Sequence, residues 1–338
     1  MGDLKLGLAQ GYWGAAPNPN FVEMAVEAEK LGYDSVWSAE AWGNDAFTPL
    51  AWIGAHTEKI KLGTAVVQLS GRTPASCAMH ALTLDHLSNG RLILGLGVSG
   101  PQVVEGWYGR PFPKPLARTR EYIDIIRQVM ARQGPVTNDG PHYPMPYKGE
   151  DGTGLGKPLK SIVHPIRNDI PIYMGAEGPK NIALSTEIAD GWLPLFYNPY
   201  DESVYNQSLV NAKPDFQIAQ MVTVNITDDI AAGLMAVKYF LSFYVGGMGA
   251  KSTNFHKDLF VRMGYEAEAD KIQQLFFEDK RDEAANVIPD ELADSLALIG
   301  PRDRIKERLQ AWRDSRVTTL LVATTKKEQL RDMAELIL

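Results

Sequence analysis

The sequence predicts an α/β protein of the (β/α)8 barrel class, and three observations carry that reading. Eight short apolar segments recur along the 338 residues, most of them followed by a stretch with helical periodicity. The segments are apolar nearly throughout rather than alternating, as parallel strands covered on both faces are. The rival, an open doubly wound sheet, wants a G-x-G-x-x-G fingerprint after its first strand, and "AQGYWGAAP" lacks one. "GLGVSG" (95–100) does match, but it follows the fourth strand and no acidic residue ends a next strand at the required offset.

Taken in order, "LKLGLAQ" (4–10) precedes a helix over 19–31, where Phe21, Met24, Ala25, Ala28 and Leu31 share one face. Asn18 with Pro19 reads as its cap and first position, and Gly32 as its stop. "DSVWSAE" (34–40) leads into a helix over 47–57, and "IKLGTAVV" (60–67) into one over 74–87. "RLILGLGV" (91–98) precedes a helix over 116–131 built on Leu116, Ile123, Ile126 and Met130. From 134 to 170 the period stops in a Gly- and Pro-rich stretch, and a structureless run of that length predicts a lid or substrate loop. The pattern resumes with "IPIYMGA" (170–176) and its helix, "GWLPLF" (191–196), and "FQIAQMVTVNI" (216–226) with a helix over 228–244. Residues 245–300 read as helical pieces. A helix over 301–313 on Ile305, Leu309 and Trp312, the strand "RVTTLLVAT" (316–324) and a helix over 326–336 close the chain. The prediction is one barrel domain over 1–338 with insertions after strands 4 and 7, at about 134–170 and 245–300.

An apolar fraction of 45% with 22% charged residues is that of a globular chain with ample core. A net charge of -7 argues against nucleic acid or an anionic membrane as partner and leaves a small-molecule substrate. One cysteine, Cys77, excludes an intrachain disulfide and a thiolate metal cluster. The N-terminus lacks the marks of a signal peptide, and no apolar stretch approaches the roughly 20 residues of a membrane span. The expected location is cytoplasmic.

Chemistry in such a barrel belongs at the C-terminal strand ends. Those ends are rich in glycine and aromatics and poor in charge, with Glu40 the only acid at the first four. Paired carboxylates for hydrolysis are missing there, and so is a histidine cluster for a metal. His56, His80 and His86 fall on helices; His142, His164 and His256 fall in the insertions, with His142 the best of them as a substrate contact. Trp13, Trp42, Trp107, Phe196 and Tyr197 lie at or just past strand ends and suit a pocket for a flat cofactor and its substrate. "YMGAEGPKN" after the fifth strand offers Gly175, Ala176, Gly178 and Pro179 at a helix start, with Lys180 as a countercharge. Glu177 opposes an anion there, so from these residues alone a phosphate cradle and a plain turn both stand.

Four segments carry a family resemblance: "LGYDSVWSAEAWGNDAFTPLAW", "IKLGTAVVQLSGRTPA", "TLDHLSNGRLILGLGVSGPQVVEGWYG" and "IPIYMGAEGPKNIALSTEIADGWLP". The chain resembles the luciferase-like TIM barrels, and within them the coenzyme F420-dependent oxidoreductases of the actinobacterial branch. The resemblance implies a non-proline cis peptide at Ala65–Val66 backing the deazaflavin ring. It implies a loop of Gly97, Val98, Ser99 and Gly100 along the ring and side chain. It places the cofactor phosphate on Gly175, Ala176, Gly178 and Pro179, and we expect Lys180 or Arg72 at the anionic tail. The implied reaction is hydride transfer at C5, with Glu40 exchanging a proton with the substrate or orienting it and Gln68 as a polar partner. The sugar-phosphate branch has a histidine after that acid, a lysine after strand six and a glutamate past strand four. Here Ala41, "LFYNPY" and Gly100–Pro101 stand instead, so an apolar or aromatic substrate is expected rather than glucose 6-phosphate. The rivals are an FMN-dependent luciferase-like monooxygenase and a non-catalytic flavin- or deazaflavin-binding protein. The family also implies a homodimer.

Overall fold

The computed structural model describes residues 4–250 and 252–338. Its strands are β1 (Lys5–Gly11), β2 (Ser35–Ser38), β3 (Lys61–Thr64), β4 (Val67–Gln68), β5 (Leu92–Gly97), β6 (Ile172–Gly175), β7 (Gly191–Leu193), β8 (Gln217–Ile226), β9 (Ala297–Gly300) and β10 (Thr319–Ala323). Eight of them close a parallel barrel in the order β1, β2, β3, β5, β6, β7, β8, β10, and β10 returns to β1 with Lys5 opposite Thr319. The helices are α1 (Phe21–Lys30), α2 (Phe47–Gly54), α3 (Pro74–Leu87), α4 (Pro101–Gly106), α5 (Pro115–Ala131), α6 (Pro179–Ile188) and α7 (Ser203–Asn206). After β8 come α8 (Ile230–Gly247), α9 (Phe255–Arg262), α10 (Glu266–Phe277), α11 (Arg281–Val287) and α12 (Asp290–Ser295), then α13 (Arg302–Asp314) and α14 (Lys327–Ile337).

The expected (β/α)8 barrel is therefore present, and the helices bury the faces that the periodicity marks. On α1, Met24, Ala25 and Ala28 are buried, and Gly32 follows at φ +89°, a left-handed position that suits glycine. The cap differs from expectation. Asn20 precedes the helix, whereas Asn18 closes the turn before it, its Oδ1 accepting from the Asn20 N–H at 3.0 Å.

Inside the barrel a second, smaller layer forms from Trp37, Ile93, Tyr173, Leu193, Ala219 and Leu321. Trp37 dominates it, with Nε1 donating to Ser35 Oγ at 2.9 Å and Tyr173 at a centroid distance of 5.8 Å. The neighbouring strands make room: a Cβ at Gly63 would lie 2.2 Å from the Trp37 ring, and one at Gly7 3.2 Å from its Nε1. Just past Gly63, β3 breaks at a cis Ala65–Val66 peptide. There the Thr64 hydroxyl replaces the ladder, donating to Gly95 O and accepting from Gly95 N–H at 2.8 Å each. Pairing then resumes through β4, with Val67 opposite Leu96 and Gln68 opposite Gly97.

Three features differ from the sequence expectation. β9 is an additional strand that pairs with the end of β8, Thr223 opposite Ala297, outside the closed barrel. α4 and α7 are short helices inside segments read as loop. The 18-residue α8 is apolar enough to cross a membrane by length and composition, which the sequence reading did not expect; half of it is buried here, against the insertion helices and β9. Residues 134–170 carry no helix or strand, as expected. They are fastened by Arg167, whose Nη2 donates to the buried Asp85 at 2.6 Å, and by His164 O against His86 Nε2 at 2.8 Å.

A Cβ on Gly95 would sit 1.8 Å from the Thr64 carbonyl oxygen, which is backbone and has no side-chain freedom to yield. Gly95→Ala is expected to cost about 3 kcal/mol of unfolding free energy, at the upper end of overpacking effects. Gly14→Ala, where nothing lies within 4 Å, serves as the control and stays within about 0.5 kcal/mol by urea denaturation.

Candidate active site

A cavity of about 890 Å³ opens where the barrel strands end. Its floor is the interior layer, with Trp37, Leu193, Ala219 and Leu321 exposed to it. Its wall brings together Glu40, Trp42, Ala65, Val66, Gln68, Gly97, Val98, Ser99, Gly100, Gly175, Ala176, Gly178, Pro179 and Lys180. Strand ends place them there; Ser99 takes the left-handed φ of +60°, unusual for a residue with a side chain.

Five residues expected at the substrate position do not line this cavity. Trp13 packs on Phe21 at 5.9 Å and its backbone N–H donates to Asn44 Oδ1 at 2.7 Å. Trp107, at the end of α4, is 63% exposed. His142 stands beside α5, its backbone N–H held by Glu121 Oε2 at 3.1 Å. Phe196 is buried behind the wall, edge-on to Tyr244 at 5.7 Å, and Tyr197 stacks on Tyr205 at 4.8 Å with its hydroxyl donating to Glu202. No residue of 134–170, the segment expected as a lid or substrate loop, is part of the wall either. The insertion that contributes to it is the second one, through Met248, Phe255, His256, Asp258 and Arg262.

The glycines divide in purpose. A Cβ on Gly97 would meet Val66 Cγ2 at 2.5 Å and one on Gly175 would meet Cγ1 at 3.1 Å, so these two accommodate the valine at the β3 break. Gly178 has nothing within 4 Å of its Cβ position: it borders open space at the start of α6. Pro179 occupies the first helical turn, where its missing N–H is no loss. The positive end of the α6 dipole and the exposed Lys180 make this corner favourable to an anion.

Glu40 is almost fully buried and its carboxylate is saturated. Oε1 accepts from Gln68 N–H at 3.0 Å and Arg72 Nη1 at 2.9 Å; Oε2 accepts from Arg72 Nη1 at 2.8 Å and Ala46 N–H at 3.3 Å. These fill the roughly four lone-pair sites of a carboxylate. Arg72 spends its Nη1 on Glu40 and is not part of the cavity wall, whereas Lys180 is. Gln68 Nε2 donates to Glu40 O at 3.2 Å, leaving Oε1 buried with no partner.

Glu177 turns across to β7, its Oε1 accepting from Leu195 N–H at 2.8 Å. Burial pushes its carboxyl up to about 8, so near neutral pH it is mostly protonated and does not oppose an anion at Gly178. Among the described residues, eight buried side-chain polar atoms lack a partner; five belong to cavity residues, namely Ser38, Gln68, Asn181, His256 and Arg262. Unpaired polar side chains gathered around one cavity, on β2, β4, α6 and α9, are a feature of a ligand site. No group of three potential metal ligands occurs among the described residues.

Two measurements follow from these contacts. Glu40→Ala strands the partly buried Arg72 guanidinium and is expected to lower the unfolding free energy by about 3 kcal/mol; a loss under about 1 kcal/mol would show that Arg72 finds another partner. For Glu177, the folded protein holds the proton more tightly than the unfolded chain, whose carboxyl titrates near 4.5. Its contribution to stability is full below 4.5 and is lost as pH rises towards about 8. Glu177→Gln keeps an acceptor for Leu195 and flattens that part of the curve, measured by urea unfolding between about pH 5 and about pH 8.

Comparison with known proteins agrees with this geometry. The sequence model of the luciferase-like monooxygenases matches residues 7–319. A Mycobacterium tuberculosis protein named provisionally as a coenzyme F420-dependent oxidoreductase is 56% identical over 343 aligned positions, covering 99% of both chains. The 5,10-methylenetetrahydromethanopterin reductase of Methanolobus tindarius is 29% identical, over 88% of this chain and 87% of its own. Among solved structures, the coenzyme F420-dependent tetrahydromethanopterin reductase of Methanopyrus kandleri superposes with a TM-score of 0.81 at 21% identity, covering 99% of each chain, which speaks to the fold. A parallel barrel with its cavity at the strand ends, a break after the third strand and a match across 7–319 place this chain in the luciferase-like monooxygenase family.

Proposed function

We propose that this protein is a coenzyme F420-dependent oxidoreductase that moves a hydride between the deazaflavin and an apolar or aromatic organic substrate. The observation that carries the reading is one cavity that combines apolar walls, an open cradle at Gly178 and polar atoms awaiting partners. The 56% identity to the mycobacterial protein supports the choice of cofactor.

The residues fit such a group. Gly178, the first turn of α6 and Lys180 would hold its phosphate and acidic tail. Ala65 and Val66 present the β3 break to the cavity and would back the ring, and Gly97 to Gly100 would lie along its side chain. When bound, the deazaflavin supplies the redox chemistry by accepting or releasing a hydride at C5. The protein's part is orientation, exclusion of water and hydrogen bonding. Gln68 Oε1 is an acceptor held in place by Glu40, suited to an N–H of the ring or the substrate. Glu40, with both oxygens occupied, positions Gln68 and Arg72, in place of the proton exchange expected from the sequence.

Gly178 allows a clean test because its φ of −77° suits any residue and its surroundings are open. Gly178→Val is expected to keep wild-type stability and weaken F420 binding by at least about tenfold, one charge-assisted hydrogen bond's worth, in a fluorescence titration. Tight FMN binding with oxygen consumption would replace this reading by the monooxygenase one. Cofactor binding without bleaching by any of a panel of alcohols, enones and quinones would leave a carrier protein.

A further inference from the structure

We infer that His256 anchors the substrate: the lobe between α8 and α9 takes an uncharged, largely apolar ketone or alcohol and holds its single oxygen at this imidazole. The inference deepens the proposed function and rests on that reading for the identity of the reacting pair.

The placement begins with Asn254, which is buried. Its Oδ1 accepts from the backbone N–H groups of His256 and Lys257 at 3.0 Å each, capping α9. Its Nδ2 donates back to Val245 O at 2.8 Å and Tyr244 O at 3.2 Å. One side chain thus fastens the start of α9 to the end of α8 and fixes His256 beside Tyr244. The imidazole stands edge-on to the Tyr244 ring at 5.0 Å and 89°, and to Phe196 at 6.0 Å. On the cavity side its companions are Phe240, Tyr244, Met248 and Phe255.

Within that largely apolar lobe the imidazole is an unspent polar group. Neither ring nitrogen makes a hydrogen bond among the described residues, and Nδ1 is buried with no partner. Burial lowers its pKa to about 4, so the ring is neutral at working pH, with one N–H donor and one bare nitrogen. Arg262, farther along α9, donates through Nη2 to Glu177 O at 2.8 Å. The lobe therefore offers shape and a neutral imidazole, beside the Tyr244 hydroxyl, which meets that of Tyr12 at 3.4 Å.

The chemistry of that group selects the ligand. The N–H can donate to a carbonyl oxygen, and the bare nitrogen can accept from a hydroxyl. Ketone and alcohol differ by one hydride on carbon and one proton on oxygen, so one tautomer or the other serves both ends of a reversible hydride transfer. A purely hydrocarbon ligand would gain the shape of the lobe but no hydrogen bond from the imidazole.

The probes are acetophenone, 1-phenylethanol and the matched hydrocarbon ethylbenzene, titrated by ligand-observed NMR against the full chain. His256→Phe keeps the edge-on packing and removes both nitrogens. It is expected to weaken ketone and alcohol binding about three- to tenfold, the worth of one neutral hydrogen bond, and to leave ethylbenzene unchanged. His256→Gln, with a donor and an acceptor, restores most of the difference, and thermal melts establish that both variants fold. Equal weakening of all three probes, no weakening at all, or no binding of the ketone to the wild type overturns the inference. F420 titration of the same proteins separates the two levels. An unchanged F420 Kd with selective loss of ketone supports the inference, whereas failure of F420 to bind the wild type removes the functional reading and leaves a ketone site to stand by itself.

Discussion

The layer of side chains around Trp37 is the constraint from which both the barrel and its cavity follow. An eight-stranded barrel has an interior just wide enough for side chains to fill. Here one indole does most of that filling, low in the barrel, and the strands beside it answer with Gly7 and Gly63. Above that level the strands carry small residues, Ala65, Gly97, Gly175 and Ala176, which leave the interior unfilled. The same plug that closes the core is the floor of the site, so packing and function share one set of residues.

Charge is managed by a different device at each place. Glu40 spends its lone pairs on Arg72 and two backbone N–H groups. Glu177 loses its charge to burial, and His256 does not acquire one. The result is a middle and an aromatic lobe that are close to neutral, with cationic groups kept to the α6 corner and its surroundings. Such a distribution orients a ligand that is anionic at one end and flat and uncharged at the other.

Much of this was legible in the sequence, for identifiable reasons. Parallel strands are covered on both faces and so read as unbroken apolar runs, which located all eight barrel strands; β9, only four residues long, was hidden inside the segment 245–300 read as helical pieces. The strand-end rule found Glu40, Gln68 and the glycine loops because backbone position alone places them. It failed for Phe196 and Tyr197, where residue type could not say which side of the wall a side chain faces. Loss of periodicity identified 134–170 as irregular but not its location, which Arg167 and Asp85 determine. His256 was invisible in the same way: its importance comes from how α9 docks on α8, a matter of Asn254 and its four hydrogen bonds.

Val66 gives the β3 break a consequence for sequence divergence. Its two methyl groups occupy the Cβ positions of Gly97 on one strand and Gly175 on another, though the three residues are far apart in the chain. They therefore form one mutational unit. A larger residue at 97 requires position 66 to shift or shrink, and one at 175 requires Val66 to give by a few tenths of an ångström, so changes at these sites are non-additive and depend on the order in which they arise. Along any line of descent from this chain, reshaping the cavity at that point draws position 66 in with it.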